Sequence, residues 1–370
     1  MTLSYYVHIP YCARRCGYCD FNTYVPSELK EGASLDDVSR DYIDAVLLEL
    51  EGSPRDRVST IFFGGGTPTL LPPEDLGRVI SLIRERNGLE NHAEITVEAN
   101  PDSVDASKLR KLRAAGFNRI SLGMQSTTPH VLKTLDRTHN PESVARAVTD
   151  ARSAGFESIS VDLIYATPGE SLDEWRSTIE SAMALDIDHI SAYSLIVEEG
   201  TRLAAQIKRG EVGRPDDDLA ADMYTLADTL FQQRGFDWYE LSNWSKPGHQ
   251  SRHNIAYWRN EQWWGLGPGA HSHIGNERFW NIKNPLAYKQ RIFGGESVIA
   301  EKEILTEQQQ RDEEVMLAIR LREGLLARPD TAARLNEFVA SGHMSKSGDR
   351  YILTLHGRLI ADRIVRELLG

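Results

Sequence analysis

Six short apolar or β-branched runs, each followed by a helix-patterned segment, organise the first half of this chain. They lie at 5–9, 60–63, 94–99, 119–122, 158–164 and 189–194, and each is bounded by Gly, Pro or charged residues. Segments with helical periodicity fall between them, at 41–51, 73–86, 106–115, 142–154 and 172–185. Ala114-Ala115-Gly116-Phe117 and Ser153-Ala154-Gly155-Phe156 are near repeats, in which Gly ends a helix and Phe leads into the next strand. Strands alternating with helices predict an α/β fold with a parallel sheet. Six units suit a barrel or an open partial barrel, with a doubly wound sheet as the alternative.

The remainder changes character twice. Residues 198–218 read as a connection, whose run Asp216-Asp217-Asp218 suits a solvated helix start. Residues 236–280 are rich in Trp, His, Gly and Asn; from about 306 the chain is helical and charged. The expected division is a core barrel over 1–235, a Trp/His-rich segment completing it over 236–300, and a small, mostly helical C-terminal domain over 301–370. Charge is acidic, 42 Lys and Arg against 54 Asp and Glu, which argues against a broad nucleic-acid surface. Neither a signal-peptide pattern nor a bilayer-length apolar run is visible.

Cys12, Cys16 and Cys19, spaced C-x3-C-x2-C, are the only cysteines. Gathered in one loop, they point to a metal site in a reducing, cytoplasmic setting. Three thiolates hold three irons of a [4Fe–4S] cluster and leave the fourth iron open, where S-adenosylmethionine (SAM) chelates through its amino and carboxylate groups. A zinc site with His8 as fourth ligand, or plain structural thiols, are the alternatives.

Catalytic groups of barrels come from the C-terminal ends of strands. At those ends stand the cysteine loop, Gly64-Gly65-Gly66-Thr67, Glu98, Gln125, Asp162 and Tyr193. The glycines are expected to let backbone approach a ligand and to leave N–H groups free for it. Each of these residues alone reads more simply as a turn or a satisfied polar group; together at one rim they read as a site.

Tyr6-Val-His-Ile-Pro-Tyr-Cys-x3-Cys-Gly-Tyr-Cys-Asp-Phe, Phe63-Gly-Gly-Gly-Thr-Pro-Thr, Val97-Glu-Ala-Asn-Pro, Gly123-Met-Gln-Ser and Leu135-Asp-Arg-Thr-His resemble the oxygen-independent coproporphyrinogen III dehydrogenase group of radical-SAM proteins. The resemblance spans nearly the whole chain and implies a partial (β/α)6 barrel. It assigns Cys12, Cys16 and Cys19 to the cluster, and Tyr6, Tyr18, Gly65, Gly66, Thr67, Glu98, Gln125, Arg137 and Asp162 to SAM. It names no catalytic residue. Two departures point within the group to HemW-type heme chaperones: only eleven residues precede Cys12, and Phe21 stands where the dehydrogenase has a further cysteine. His253-Asn-Ile-Ala-Tyr257-Trp258 matches the chaperones' H-N-x-x-Y-W motif.

Six of the seven Trp lie between 238 and 280, among His249, His253, His271 and His273. A porphyrin needs flat apolar contact, and heme iron takes a His ligand in many proteins. His253 is the candidate donor, with Tyr257 and Trp258 as walls; the plainer reading is an aromatic junction between domains. The resemblance thus implies a chaperone that binds heme and passes it to apo-hemoproteins. Anaerobic decarboxylation of coproporphyrinogen III to protoporphyrinogen IX is the alternative. Enzymatic activity, homodimerisation and peripheral membrane contact are left open.

Overall fold

Alternate residues of the strand segments have opposite chemistry, and that alternation shapes the molecule. Ile159, Val161 and Leu163 are buried in the apolar core, while Ser160 and Asp162 between them line a cavity. The same holds for Ile95 and Val97 against Thr96 and Glu98, and for Ile190 and Ala192 against His189 and Ser191. Successive strand residues face opposite sides of a sheet, so one face is apolar and the other polar.

The computed structural model describes residues 2–370. Strands β1 (Leu3–Ile9), β2 (Val58–Gly65), β3 (Leu89–Ala99), β4 (Arg119–Gln125), β5 (Ser158–Tyr165) and β6 (His189–Ser194) pair in parallel and in sequence order. Helices including Pro73–Asn87, Ala106–Ala115, Pro141–Ser153 and Leu172–Met183 cover the apolar face with Leu76, Leu112, Val148 and Trp175. The repeated Gly-Phe pairs close two of these helices: Phe117 N–H donates to Leu112 O (3.2 Å) and Phe156 N–H to Ala151 O (3.1 Å), with both rings buried. Polar-face residues of all six strands line one cavity of roughly 610 Å³, so the sheet curves into a partial (β/α)6 barrel.

The Trp-rich segment borders the barrel on both sides. Strands β7 (Asp237–Glu240) and β8 (Asn243–Ser245) extend the sheet antiparallel beyond β6. Strand β9 (Trp263–Leu266) pairs in parallel with β1, and β10 (His271–Ile274), β11 (Glu277–Asn281) and β12 (Ile299–Ile304) continue outward. The boundary expected at 300/301 therefore cuts through β12. This strand is an exposed, charged edge, and its sequence hides its pairing. A separate apolar core begins at Val315; around it pack the helices Glu307–Ala318, Ala332–Ala340 and Ala361–Leu369 and a ribbon of β13 (Leu325–Leu326), β14 (Met344–Ser347) and β15 (Arg350–Leu353).

One buried ion pair joins this C-terminal module to the barrel. Arg358 Nη1 and Nη2 donate to the two oxygens of Asp228 at 2.8 Å each, and the guanidinium lies 4.4 Å over the Trp238 ring. Trp244 Nε1 donates to the same carboxylate at 2.9 Å. The acidic run has a local role: Asp216 accepts from Asp218 N–H and Leu219 N–H, both at 3.0 Å, at the start of the helix Asp217–Gln233.

Candidate functional site

The cysteine loop leaves the C-terminal end of β1 and all three thiols line the cavity. Cys12 N–H donates to Tyr24 O at 3.0 Å, and Cys19 N–H to Cys16 O at 3.2 Å. Asn22 anchors the loop from outside, its Nδ2 donating to Pro268 O (3.0 Å) and Lys283 O (2.9 Å). Burial pushes the Cys12 thiol up to about 11 and raises Cys19 as well. These thiols call for a cation that stabilises thiolate. Among the described residues no three His, Cys, Asp or Glu side chains converge as for a single metal ion. The donor set instead suits a cluster, in which each thiolate takes a different iron. His8 is not directed at the loop as a fourth ligand. Its Nε2 donates to Asn22 O at 2.9 Å, which leaves Nδ1 to accept from the Tyr6 hydroxyl at 3.0 Å.

The glycine run does something other than the expected ligand cradle. Gly65 N–H donates to Glu98 Oε2 (3.1 Å), Gly66 N–H to Ile9 O (2.7 Å) and Thr67 N–H to Tyr11 O (2.8 Å). The donors expected to be free for a ligand are spent on the protein. A Cβ on Gly66 would collide with the Tyr11 carbonyl, so this glycine lets β2 press against the start of the cysteine loop.

Glu98 and Asp162 face the same cavity from β3 and β5. Loss of water, then the neighbouring Asp162 charge, pushes the Glu98 carboxyl up to about 8. Desolvation also raises Asp162, which accepts from Ser121 Oγ at 2.9 and 3.0 Å. Two carboxyls so raised are an unmet demand for positive charge. Arg137 Nη1 lies 3.5 Å from Cys16 Sγ, while Nη2 donates to Asn100 Oδ1 (2.6 Å) and Gly123 O (2.9 Å). Asn100, not anticipated from the sequence, also donates to Thr67 Oγ1 at 3.0 Å. Gln125, Tyr6 and Tyr18 complete the wall, Gln125 with a φ of +61°. We expect Arg137→Ala to lower SAM affinity about ten- to hundredfold, the worth of one charge-assisted pair, with cluster content retained. Unchanged affinity by calorimetry would take Arg137 out of the site.

The structure separates the members of the His253 motif. His253 and Tyr257 are on the cavity side of the helix Arg252–Trp258. Thr60 gives its hydroxyl proton to Ser4 Oγ at 2.9 Å, so His253 Nδ1, 2.7 Å from Thr60 Oγ1, donates its N–H to that oxygen. Nε2 is then the acceptor of the Tyr257 hydroxyl at 2.9 Å. The ring stacks on Phe62 (5.1 Å between centroids), and burial lowers its pKa to about 3. Trp258 leaves the cavity and meets the guanidinium of Arg320 at 5.7 Å. His271 is exposed and stacked on Trp280, while His273 is buried beside Trp263. The glycine-rich turn before them supports the cysteine loop. Gly267 adopts a φ of +97°, and a Cβ there would come within 2.5 Å of the Tyr42 hydroxyl. Its N–H donates to Glu49 at 2.8 Å.

Residues 6–182 match the model of the radical SAM superfamily. The chain is 46% identical over 99% of its length to the heme chaperone HemW of Mycobacterium tuberculosis, covering 94% of that protein. It is 33% identical to the heme chaperone HemW of Bacillus subtilis, with 99% of both chains covered. Its fold superimposes on coproporphyrinogen III oxidase (HemN) of Escherichia coli with a TM-score of 0.83 at 24% identity, covering 99% of this chain and 89% of the other.

Proposed function

The chain belongs to the HemW heme chaperone family of radical SAM proteins, and from that premise we propose that it binds heme and hands it to apo-hemoproteins in the cytoplasm. The observation that carries this reading is the collinear match to two HemW proteins over 99% of the chain. It includes the C-terminal module as well as the barrel. The cavity adds chemical support. Cys12, Cys16 and Cys19 hold the [4Fe–4S] cluster, which supplies an open iron for chelation of SAM. Glu98 and Asp162 face the cationic part of SAM, and Arg137 is the donor fork for its carboxylate. Among the described residues no helix is long and apolar enough to cross a membrane.

The likeness to coproporphyrinogen III oxidase concerns the fold. At the position of that group's additional cysteine this chain has Phe21, which neither ligates metal nor donates a proton. We expect anaerobically reconstituted protein to bind hemin, and to convert a negligible amount of coproporphyrinogen III when given SAM and a reductant. Repeated turnover to protoporphyrinogen IX would overturn the chaperone reading. So would failure of the wild type to bind hemin.

A further inference from the structure

We propose that Arg119, on the floor of the cavity, anchors one propionate of the cargo heme, beside the helix Arg252–Trp258 that carries His253. This inference rests on the chaperone reading and names the residue by which that chaperone grips the carboxylate end of its cargo.

Strand β4 supplies the position. Arg119 and Ser121 face the cavity, while Ile120 and Leu122 turn into the apolar core. Arg119 is only 3% exposed, and a guanidinium so desolvated ordinarily has a carboxylate against it. This one has none. Both of its hydrogen bonds leave from Nη1, to Ser158 Oγ at 2.8 Å and to His249 O at 2.9 Å. Nε and Nη2 keep no acceptor in the protein, and no carboxylate among the described residues forms an ion pair with it. Acidic side chains on the neighbouring strands are committed elsewhere. Glu94 accepts from Ser251 Oγ (3.4 Å), Arg252 N–H (2.9 Å) and His253 N–H (3.0 Å), and Asp162 accepts from Ser121 Oγ. A buried fork of donors open to a cavity is a site for a carboxylate brought in by a ligand.

SAM does not account for this site. It carries a single carboxylate, for which Arg137 is the proposed fork. Arg137 Nη2 donates to Gly123 O, four residues further along β4, which is about 13 Å at the rise of a strand. A second carboxylate therefore belongs to a second ligand. The cavity lining describes the body of that ligand. Phe62 and Tyr257 line the cavity as flat apolar surfaces, and Phe62 stacks on His253 (5.1 Å between centroids) and on Tyr6 (6.2 Å). A ligand that joins a carboxylate to a flat apolar ring, and whose metal takes an imidazole, is a heme. Glu94 ties the two ends of this recognition together. From β3, the strand beside that of Arg119, it caps the helix of His253, so carboxylate anchor and imidazole are held by adjacent strands.

The test is a titration of the full, cluster-reconstituted chain with hemin and with hemin dimethyl ester, which lacks the free carboxylates. The wild type is expected to bind the ester about tenfold more weakly than hemin, the worth of one charge-assisted pair. Arg119→Gln should lose about tenfold for hemin, leave the ester unchanged and so bind the two alike. Its SAM affinity and cluster absorption should match the wild type. Arg119→Lys, which keeps the charge without the fork, should keep part of the preference. Equal wild-type affinity for hemin and ester would overturn the anchor, and this arm needs no variant to fold. An equal loss of both ligands in Arg119→Gln would do so too, because it marks a residue that merely supports Ser158 and His249. So would a preference for hemin that survives undiminished in that variant, or a matching loss of SAM affinity, which would place Arg119 in the SAM site. If the wild type takes up neither hemin nor its ester, the chaperone reading itself fails.

Discussion

Cys16→Ala, reconstituted anaerobically, lacks the brown iron–sulfur chromophore and retains little iron or sulfide. The chain has three cysteines in all, so removing one leaves two thiolates for four irons, and no other thiol is available to replace it. Cys16 is also the thiol nearest Arg137, whose Nη1 stands 3.5 Å from its sulfur. On the proposed assignment, the loss takes away the ligand at the point where cluster and SAM sites adjoin. The fold should survive, because Cys16 is only partly buried and belongs to none of the apolar cores. Iron and sulfide analysis with far-ultraviolet circular dichroism separates the two effects. A full cluster in the variant would defeat the assignment, and so would stoichiometric zinc without iron in the wild type.

Arg358→Ala destabilises the protein by about 3–5 kcal/mol, the usual cost of stranding one member of a buried ion pair. Both side chains are nearly inaccessible, 3% and 4% exposed, and Asp228 would keep only Trp244 and Gln232 as side-chain donors. Replacing both members together, as D228L/R358M, should cost far less, since no charge is then left buried. Trp238 and Trp244 adjoin the pair, so their fluorescence in a urea titration reports its loss. Burial opposes ionisation of Asp228, yet the hydrogen bonds and charge of Arg358 outweigh it and hold the carboxyl below the usual aspartate range. A carboxyl depressed in the folded state contributes stability that is complete above its unfolded pKa, about 3.9. That contribution disappears as pH falls through the lower, folded value. Wild-type stability in Arg358→Ala would show that the pair does not hold the module.

The strands were legible because each carries an apolar face for the helices: the runs at 5–9, 60–63, 94–99, 119–122, 158–164 and 189–194 all lie inside observed strands. Less legible was the inner face. Ser121, Ser160, Ser191 and His189 look like interruptions of apolar runs, yet their spacing of two marks a polar lining, and attention to it would have found the cavity wall. Asn100 left no such signal, since an Asn before Pro reads first as a turn. The glycine run was recognised as a place of close approach, but its partner proved to be the Tyr11 backbone. Which neighbour comes close depends on long-range pairing of β1 with β2, and local sequence does not encode that. The charged edge strand β12 was missed for the same reason: its register is set by β11, not by any alternation of its own.

The pairing of β1 with β9 also has a consequence in time. The strand that launches the cysteine loop has two parallel neighbours, and one of them, residues 263–266, follows it by more than 250 residues in the order of synthesis. Asn22 likewise waits for the carbonyls of Pro268 and Lys283. During synthesis the thiols therefore emerge first and acquire their final setting late. A cluster held by these thiols is therefore expected to reach its full stability only after residues 263–283 have folded against the loop.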